Sequence, residues 1–66
     1  MTNDEFRAVI EAAAAINDEA ARHYGAINPY AGLDQRRRDY AAERALLDAA
    51  SGIRALTPEQ CGVKVE

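Results

Sequence analysis

Residues 2–25, TNDEFRAVIEAAAAINDEAARHYG, decide the fold of this 66-residue chain because they carry the signals of one long helix. Thr2 and Glu5 have the spacing of a capping box, in which each side chain accepts a hydrogen bond from the other residue's amide. A run of alanines raises the helix propensity, and Gly25 suits a left-handed residue directly after the last turn. We therefore predict helix one over residues 3–24.

Apolar residues of helix one recur at steps of three and four, which places them on one stripe of the helix surface. Most charged residues fall on the opposite side. We expect the stripe to pack against a second helix or a second copy of the chain. Its members are Phe6, Val9, Ile10, Ala13, Ile16, Ala20 and Tyr24.

The connection to a second helix is predicted over residues 25–34, which hold an Asn28-Pro29 pair and a further glycine. Asp34 is a good N-cap for the helix that follows, because its carboxylate can accept from the first-turn amides. We predict helix two over residues 35–54, where a late glycine weakens it. Residues 55–66 then form a short turn and tail.

One side of helix two has an uninterrupted 4-3-4-3 apolar spacing, which is typical of a coiled-coil-like seam. This seam consists of Ala42, Leu46, Ala49, Ile53 and Leu56. The expected fold class is therefore all-α, an antiparallel helical hairpin. Because alanine-rich faces bury little area, we expect it to dimerise into a four-helix bundle. The predicted core or dimer residues are Phe6, Val9, Ile10, Ile16, Tyr24, Leu46, Ile53 and Leu56.

Composition and charge narrow the class of protein. The length predicts one domain over residues 1–66, and the single cysteine, Cys61, excludes a small domain held by internal disulfides. No apolar run is long enough to span a bilayer, and the acidic opening MTNDEF does not resemble a signal peptide. We expect a cytoplasmic protein without a membrane partner. The net charge of −3 argues against a surface that is basic throughout.

The side of helix two away from the seam combines arginines with a tyrosine and a leucine. Arginine and tyrosine supply planar contact and directional hydrogen bonds, which is typical of protein-binding hot spots. We interpret this side as a surface for an acidic region of another protein. A solvated face, whose arginines pair with nearby carboxylates while the tyrosine and leucine pack in an oligomer, is the alternative. The predicted partner-binding residues are Arg36, Arg37, Tyr40, Arg44, Leu47 and Arg54.

The same arginines suggest a second hypothesis, a dimeric regulator that binds nucleic acid or a nucleotide. Arginines would contact phosphates and Tyr40 would stack on a base. Residues 34–48 nevertheless hold four arginines and four acidic residues, so the segment is neutral overall and nucleic acid is the less favoured partner. A structural or assembly subunit of a larger particle is the third hypothesis.

Metal binding and catalysis have little support in the sequence. Glu19 and His23 are four residues apart and could supply two metal ligands, but this spacing is more typical of an ion pair near a helix C-terminus. Cys61 and His23 lack an orienting third group and an oxyanion site. We therefore predict no catalytic residue, no metal, no cofactor and no enzyme activity.

Two stretches resemble small inhibitors that bacteriophages make against host proteins. Residues 36–50, RRRDYAAERALLDAA, are similar to the second helix of a phage anti-activator of quorum sensing, and the opening MTND is similar too. The chain lacks the tryptophan of that family's helix. Anti-CRISPR proteins are similar in size and acidity but share no motif with the chain. The resemblance implies a small helical, non-enzymatic inhibitor that binds a host defence or regulatory protein.

Overall fold

The chain folds as an antiparallel pair of helices in a computed structural model, which describes residues 1–26 and 30–66. Helix α1 is Asn3–Gly25 and helix α2 is Leu33–Arg54. The Cα atoms occupy 52 × 16 × 11 Å. Two helices packed side by side make one layer of secondary structure. The hairpin is therefore a single layer, and the predicted all-α hairpin fold is confirmed.

Helix α1 begins where the sequence predicted. Thr2 Oγ1 accepts from the Glu5 amide at 3.1 Å, and Glu5 Oε1 accepts from the Thr2 amide at 3.1 Å, so the capping box is formed. The predicted left-handed cap at Gly25 was wrong. Gly25 is the last residue of α1, and its successor Ala26 leaves the helix in an extended conformation with φ −66° and ψ 133°.

Helix α2 begins two residues earlier than predicted. Its N-cap is Gly32, with φ −73° and ψ 171° and no side-chain cap, so the predicted N-cap role of Asp34 was wrong. Asp34 instead lies in the first turn, where its charge complements the helix dipole. The end of α2 at Arg54 agrees with the prediction. Within the predicted connection, Asn28-Pro29 lies outside the described residues.

The core of the hairpin is small and built largely from alanine. The buried residues are Phe6, Ile10, Ala14, Ala21 and Ala50. Phe6 and Ile10 belong to the predicted core set, and Leu46, Ile53 and Leu56 of that set are half-buried. The alanines allow the helix axes to approach closely, but each contributes little apolar area.

Both helices are rotated about their axes relative to the predicted packing. Val9 is 56% exposed and Ile16 is 70% exposed, and Tyr24 is exposed as well. On α2 the buried residue is Ala50, whereas Ala49 of the predicted seam is exposed. At 100° per residue, the buried side of each helix lies roughly 70–80° from the predicted one. The hairpin interior thus leaves part of the predicted apolar stripes outside.

Residues 55–66 form a compact turn followed by an extended segment. Gln60 Oε1 accepts from the Thr57 amide at 2.9 Å, and the Gln60 amide donates to Thr57 Oγ1 at 3.4 Å. Gly62 has a φ of 69°, a conformation that favours glycine. The Glu66 amide donates to the Met1 carbonyl at 3.0 Å, so this segment returns to the beginning of α1.

Candidate protein-binding surface

Arg54 joins the two helices on one side of the hairpin. Its guanidinium donates to both carboxylate oxygens of Glu11, at 2.7 and 3.0 Å. It also donates to Asp18 Oδ2 at 2.6 Å, two turns further along α1. Arg54 was predicted to bind a partner, but its donors are engaged within the chain. We therefore leave it out of the surface described below.

Arg7 ties α1 to the end of α2. Its Nη2 donates to the carbonyl of Leu56 at 2.8 Å, and its Nη1 donates to the carbonyl of Arg54 at 3.2 Å. Carbonyls in the last turn of a helix have no partner within the helix, and a cation there complements the dipole. The Arg7 guanidinium thus donates hydrogen bonds to carbonyl groups at and just after the C-terminal end of α2, a place where other helices have a glycine cap.

The ionisation of this cluster follows from its hydrogen bonds. The hydrogen bonds donated by Arg54 hold the pKa of the Glu11 carboxyl and that of the Asp18 carboxyl below their usual values. The same bonds, first to Glu11 and then to Asp18, raise the pKa of Arg54. All three groups are therefore charged at neutral pH. We call Glu11, Asp18 and Arg54 the ion-pair cluster, which links the two helices.

Within the described segments, three consecutive arginines differ from the others in having neither a carboxylate nor a backbone carbonyl as partner. Arg22 pairs with Glu19 at 3.1 Å and Arg44 pairs with Asp48 at 3.6 Å. Within residues 1–26 and 30–66, the side chains of Arg36, Arg37 and Arg38 make no salt bridge or hydrogen bond, and all three are exposed.

The carboxylate that directly follows these arginines in sequence already accepts a hydrogen bond. Asp39 lies one turn beyond Gln35, and its Oδ1 accepts from the Gln35 amide at 2.8 Å. Of the internal pairs that the solvated-face alternative offered, Arg44 with Asp48 is formed, whereas Arg36 forms none within the described residues.

Apolar side chains lie beside these unpaired arginines. Tyr40 is 66% exposed and Leu47 is 37% exposed, which are high values for residues of their size. Tyr40 and Leu47 are seven residues apart and so share one side of α2 with Arg36. We call Arg36, Arg37, Tyr40, Arg44 and Leu47 the arginine–tyrosine surface. The structure brings all five predicted residues to one side of α2.

Two open grooves run between the helices along this surface. The first has a volume of about 330 Å³ and lies near the end of α1; Tyr24, Arg36, Asp39, Tyr40 and Glu43 are among its lining residues. The second has a volume of about 270 Å³ and is lined by Asp18, Ala21, Arg22, Glu43 and Leu47. Glu43 lines both, so the two grooves adjoin. A side chain of a partner protein could enter these grooves beside the arginines of the arginine–tyrosine surface.

The chemistry of the first groove limits what can enter it. Its walls are Tyr24 and Tyr40, and two carboxylates, those of Asp39 and Glu43, lie in its lining. An anionic side chain would be repelled there, whereas an apolar or cationic one would be accommodated. Carboxylates of a partner would instead meet Arg36, which also lines the groove, and Arg37 and Arg44 outside it.

The residues considered for metal binding and catalysis do not form a site. Glu19 pairs with Arg22 rather than with His23, so the expected Glu19–His23 ion pair was wrong for the described part of the chain. No group of three or more potential metal ligands lies together among residues 1–26 and 30–66. Cys61 is exposed on the turn after α2, and its thiol is not in a disulfide.

Neither the ion-pair cluster nor the role of Arg7 was predicted from the sequence. Glu11 and Asp18 are seven residues apart, which places two carboxylates on one stripe of α1, two turns from each other. Such a pair predicts an arginine or lysine on the facing helix. The role of Arg7 had no comparable signal, because its partners are backbone carbonyls.

Comparison with known proteins adds no relative. No protein-family model, curated protein sequence or solved structure matches the chain. Neither helix of the described segments is both long enough and apolar enough for a membrane crossing.

Proposed function

We propose that this chain is a small non-enzymatic inhibitor or adaptor that binds an acidic region of another protein through the arginine–tyrosine surface. The observation that carries the proposal is the contrast among the arginines. Arg54 and Arg7 are engaged between the helices, whereas Arg36 and Arg37 have no partner in the described chain and flank the exposed ring of Tyr40.

Unpaired arginines around an exposed aromatic ring favour binding over stability. An exposed salt bridge adds at most about 1 kcal/mol to folding, so leaving these arginines unpaired costs the fold little. In an interface their planar donors can bind carboxylates in a bidentate manner, and Tyr40 can bury its ring without ordering a long side chain. The surface is thus suited to a second protein.

The proposed partner has carboxylates arranged around an apolar or cationic side chain. The carboxylates would contact Arg36, Arg37 and Arg44, and the central side chain would enter the groove between Tyr24 and Tyr40. This arrangement combines attraction at the rim with exclusion of an anion from the groove, which gives specificity as well as affinity.

Affinity capture from native host lysate with matched variants tests the proposal. The test variant is Arg36→Ala/Tyr40→Ala/Arg44→Ala, and the control is Arg38→Ala. Arg38 is also exposed and unpaired, but it lies about 160° around α2 from Tyr40 at 100° per residue. We expect wild type and the control to recover the same protein and the triple variant to lose it. Equal recovery by all three would remove the assignment.

Nucleic acid is the second candidate, because unpaired Arg36, Arg37 and Arg38 could also contact phosphates. The acidic groove lining beside them makes this candidate weaker. Gel mobility of labelled DNA and RNA at low salt separates the two. A shift that weakens steeply with added salt would favour the nucleic-acid reading, and unchanged mobility would remove it.

Three further parts of the proposal rest on the sequence alone. The choice of an inhibitor of a host defence or regulatory protein is supported by the resemblance of residues 36–50 to phage inhibitors. The cytoplasmic location stays a prediction. The homodimer predicted from composition also stays a proposal.

A further inference from the structure

The side of the hairpin opposite the arginine–tyrosine surface is apolar and exposed. Arg54 contacts Asp18, which fixes one side of the pair. At 100° per residue, Val9 and Ile16 lie about 160–180° around α1 from Asp18, and Ala42 and Ala49 lie about 120–140° around α2 from Arg54. These four residues therefore lie on one side of the hairpin, opposite the ion-pair cluster.

The α1 part of this apolar face contains no charged residue along its centre, whereas on α2 Arg38 lies about 20–40° from Ala49 and Ala42 at 100° per residue. On α1 it consists of Val9, Ala13, Ile16 and Ala20, and on α2 of Ala42 and Ala49. Ile16 is 70% exposed and Val9 is 56% exposed, so more than half of the surface of each of the two largest members is open to solvent. An apolar side chain that is buried rather than exposed contributes about 1.5–3 kcal/mol, which is forgone here.

The exposed area of the chain matches that of a subunit without its partner. The chain has 5040 Å² of accessible surface for a mass of 7.2 kDa. A folded monomer of this mass is expected to expose about 4,100 Å². The excess of about 900 Å² is close to the roughly 800 Å² that each partner buries in a standard protein interface.

The thinness of the hairpin leads to the same conclusion. Domains are usually built from at least two packed layers around a core, whereas this chain is one layer with a minimum extent of 11 Å. A second hairpin laid on the apolar face would supply the missing layer and complete a four-helix bundle.

We propose that the apolar face is the interface for a second copy of this chain, with α1 packed antiparallel against α1 of the second copy. A twofold axis beside Ala13 would set Val9 of one copy opposite Ile16 of the other. Large side chains would then alternate with alanines, which lets the helices interdigitate closely. The absence of charge from the α1 stripe makes that stripe complementary to itself, unlike the arginine-rich opposite side.

This dimer does not depend on the proposed function, but it has a consequence for it. The two arginine–tyrosine surfaces would lie on opposite outer sides of the bundle. Both would remain accessible, and the dimer would be able to bind two copies of a partner.

Light scattering of wild type and two charged variants at micromolar concentration tests the interface. Wild type is expected to have twice the chain mass of 7.2 kDa. Ile16→Glu is expected to weaken self-association at least tenfold because it buries a charge in the interface. Ala15→Glu, at an exposed position on another side of α1, is expected to remain dimeric. A monomeric wild type, or equal association of both variants, would overturn the proposal.

Crosslinking provides a measurement that does not depend on the folding of a charged variant. Ala13→Cys and Ala15→Cys are each combined with Cys61→Ala and treated with a short bis-maleimide. Rapid formation of a crosslinked dimer through position 13, with little through position 15, is expected. Crosslinking that is equal at both positions, or absent from position 13, would contradict the placement of the axis.

Discussion

Arg54, the last residue of α2, holds Glu11 of α1 with two hydrogen bonds, from Nη2 to Oε1 at 2.7 Å and from Nε to Oε2 at 3.0 Å. The planar fork of arginine matches a carboxylate in this geometry. Because these bonds lie between the helices and not along one of them, they help to fix the rotation of α2 against α1. They also decide which side of each helix is left for a partner.

Loss of the Arg54 guanidinium should destabilise the hairpin. Arg54→Met keeps an aliphatic stem but leaves Glu11 and Asp18 without their donor. We expect a lower thermal midpoint, measured by circular dichroism at fixed protein concentration. Arg37→Met is the control, because Arg37 is exposed and makes no salt bridge in the described chain. Equal midpoints for the two variants would show that the ion-pair cluster does not stabilise the fold.

The same cluster should make stability depend on pH in the acidic range. The pKa values of Glu11 and Asp18 are lower in the folded chain than their ordinary values of 4.5 and 3.8. Their contribution is therefore complete above about pH 4.5 and is lost as the pH falls through the lowered pKa values. Denaturant unfolding across pH 2 to 6 should show this loss in wild type and a flatter profile in Arg54→Met. Parallel profiles would contradict the assignment.

Close packing at the helix crossing should make Ala14 intolerant of a larger side chain. Ala14 has no exposed surface, whereas its neighbour Ala15 is exposed. Ala14→Leu should lower the free energy of unfolding by about 1–3 kcal/mol because it overpacks the interface between α1 and α2. Ala15→Leu should have little effect. The pair is compared by urea unfolding, and a larger loss for Ala15→Leu would refute the observed rotation of α1.

Much of the fold could be predicted because its signals are local. The capping box at Thr2 and the end of α2 at Arg54 depend on neighbouring residues, and both are observed. Gly25 and Asp34 were assigned cap roles wrongly, because the end of α1 and the start of α2 each extend past the residue that suits a cap.

The rotation of each helix about its own axis could not be predicted. The many alanines give little preference for which side of a helix faces its neighbour. Ala13 and Ala14 can each face a neighbouring helix, and Ala14 is fully buried whereas Ala13 is only half-buried. Val9 and Ile16 biased the predicted stripe toward themselves, and the sequence alone cannot say whether such residues face α2 or a second copy. The rotation depends on contacts distant in sequence, such as that of Arg54 with Glu11, whose energy is not a property of either helix alone.

Two glycines should respond in opposite directions to alanine. Gly52 lies inside α2 with no atom near the position of a new Cβ, so Gly52→Ala should stabilise the chain by about 1 kcal/mol. Gly62 has a φ of 69°, which strains any other residue, so Gly62→Ala should destabilise it. Both are measured by thermal unfolding at one protein concentration. The same sign for both changes would contradict the assigned backbone conformations.

Photo-crosslinking from position 40 tests the central claim most directly. A photoreactive phenylalanine replaces Tyr40 in one sample and Arg38 in a control, and each is irradiated in native host lysate. The account predicts a discrete product from position 40 that contains a second, different protein and is absent from position 38. A product from position 40 that contains only two copies of this chain would contradict it, because Tyr40 would then lie in the protein's own dimer.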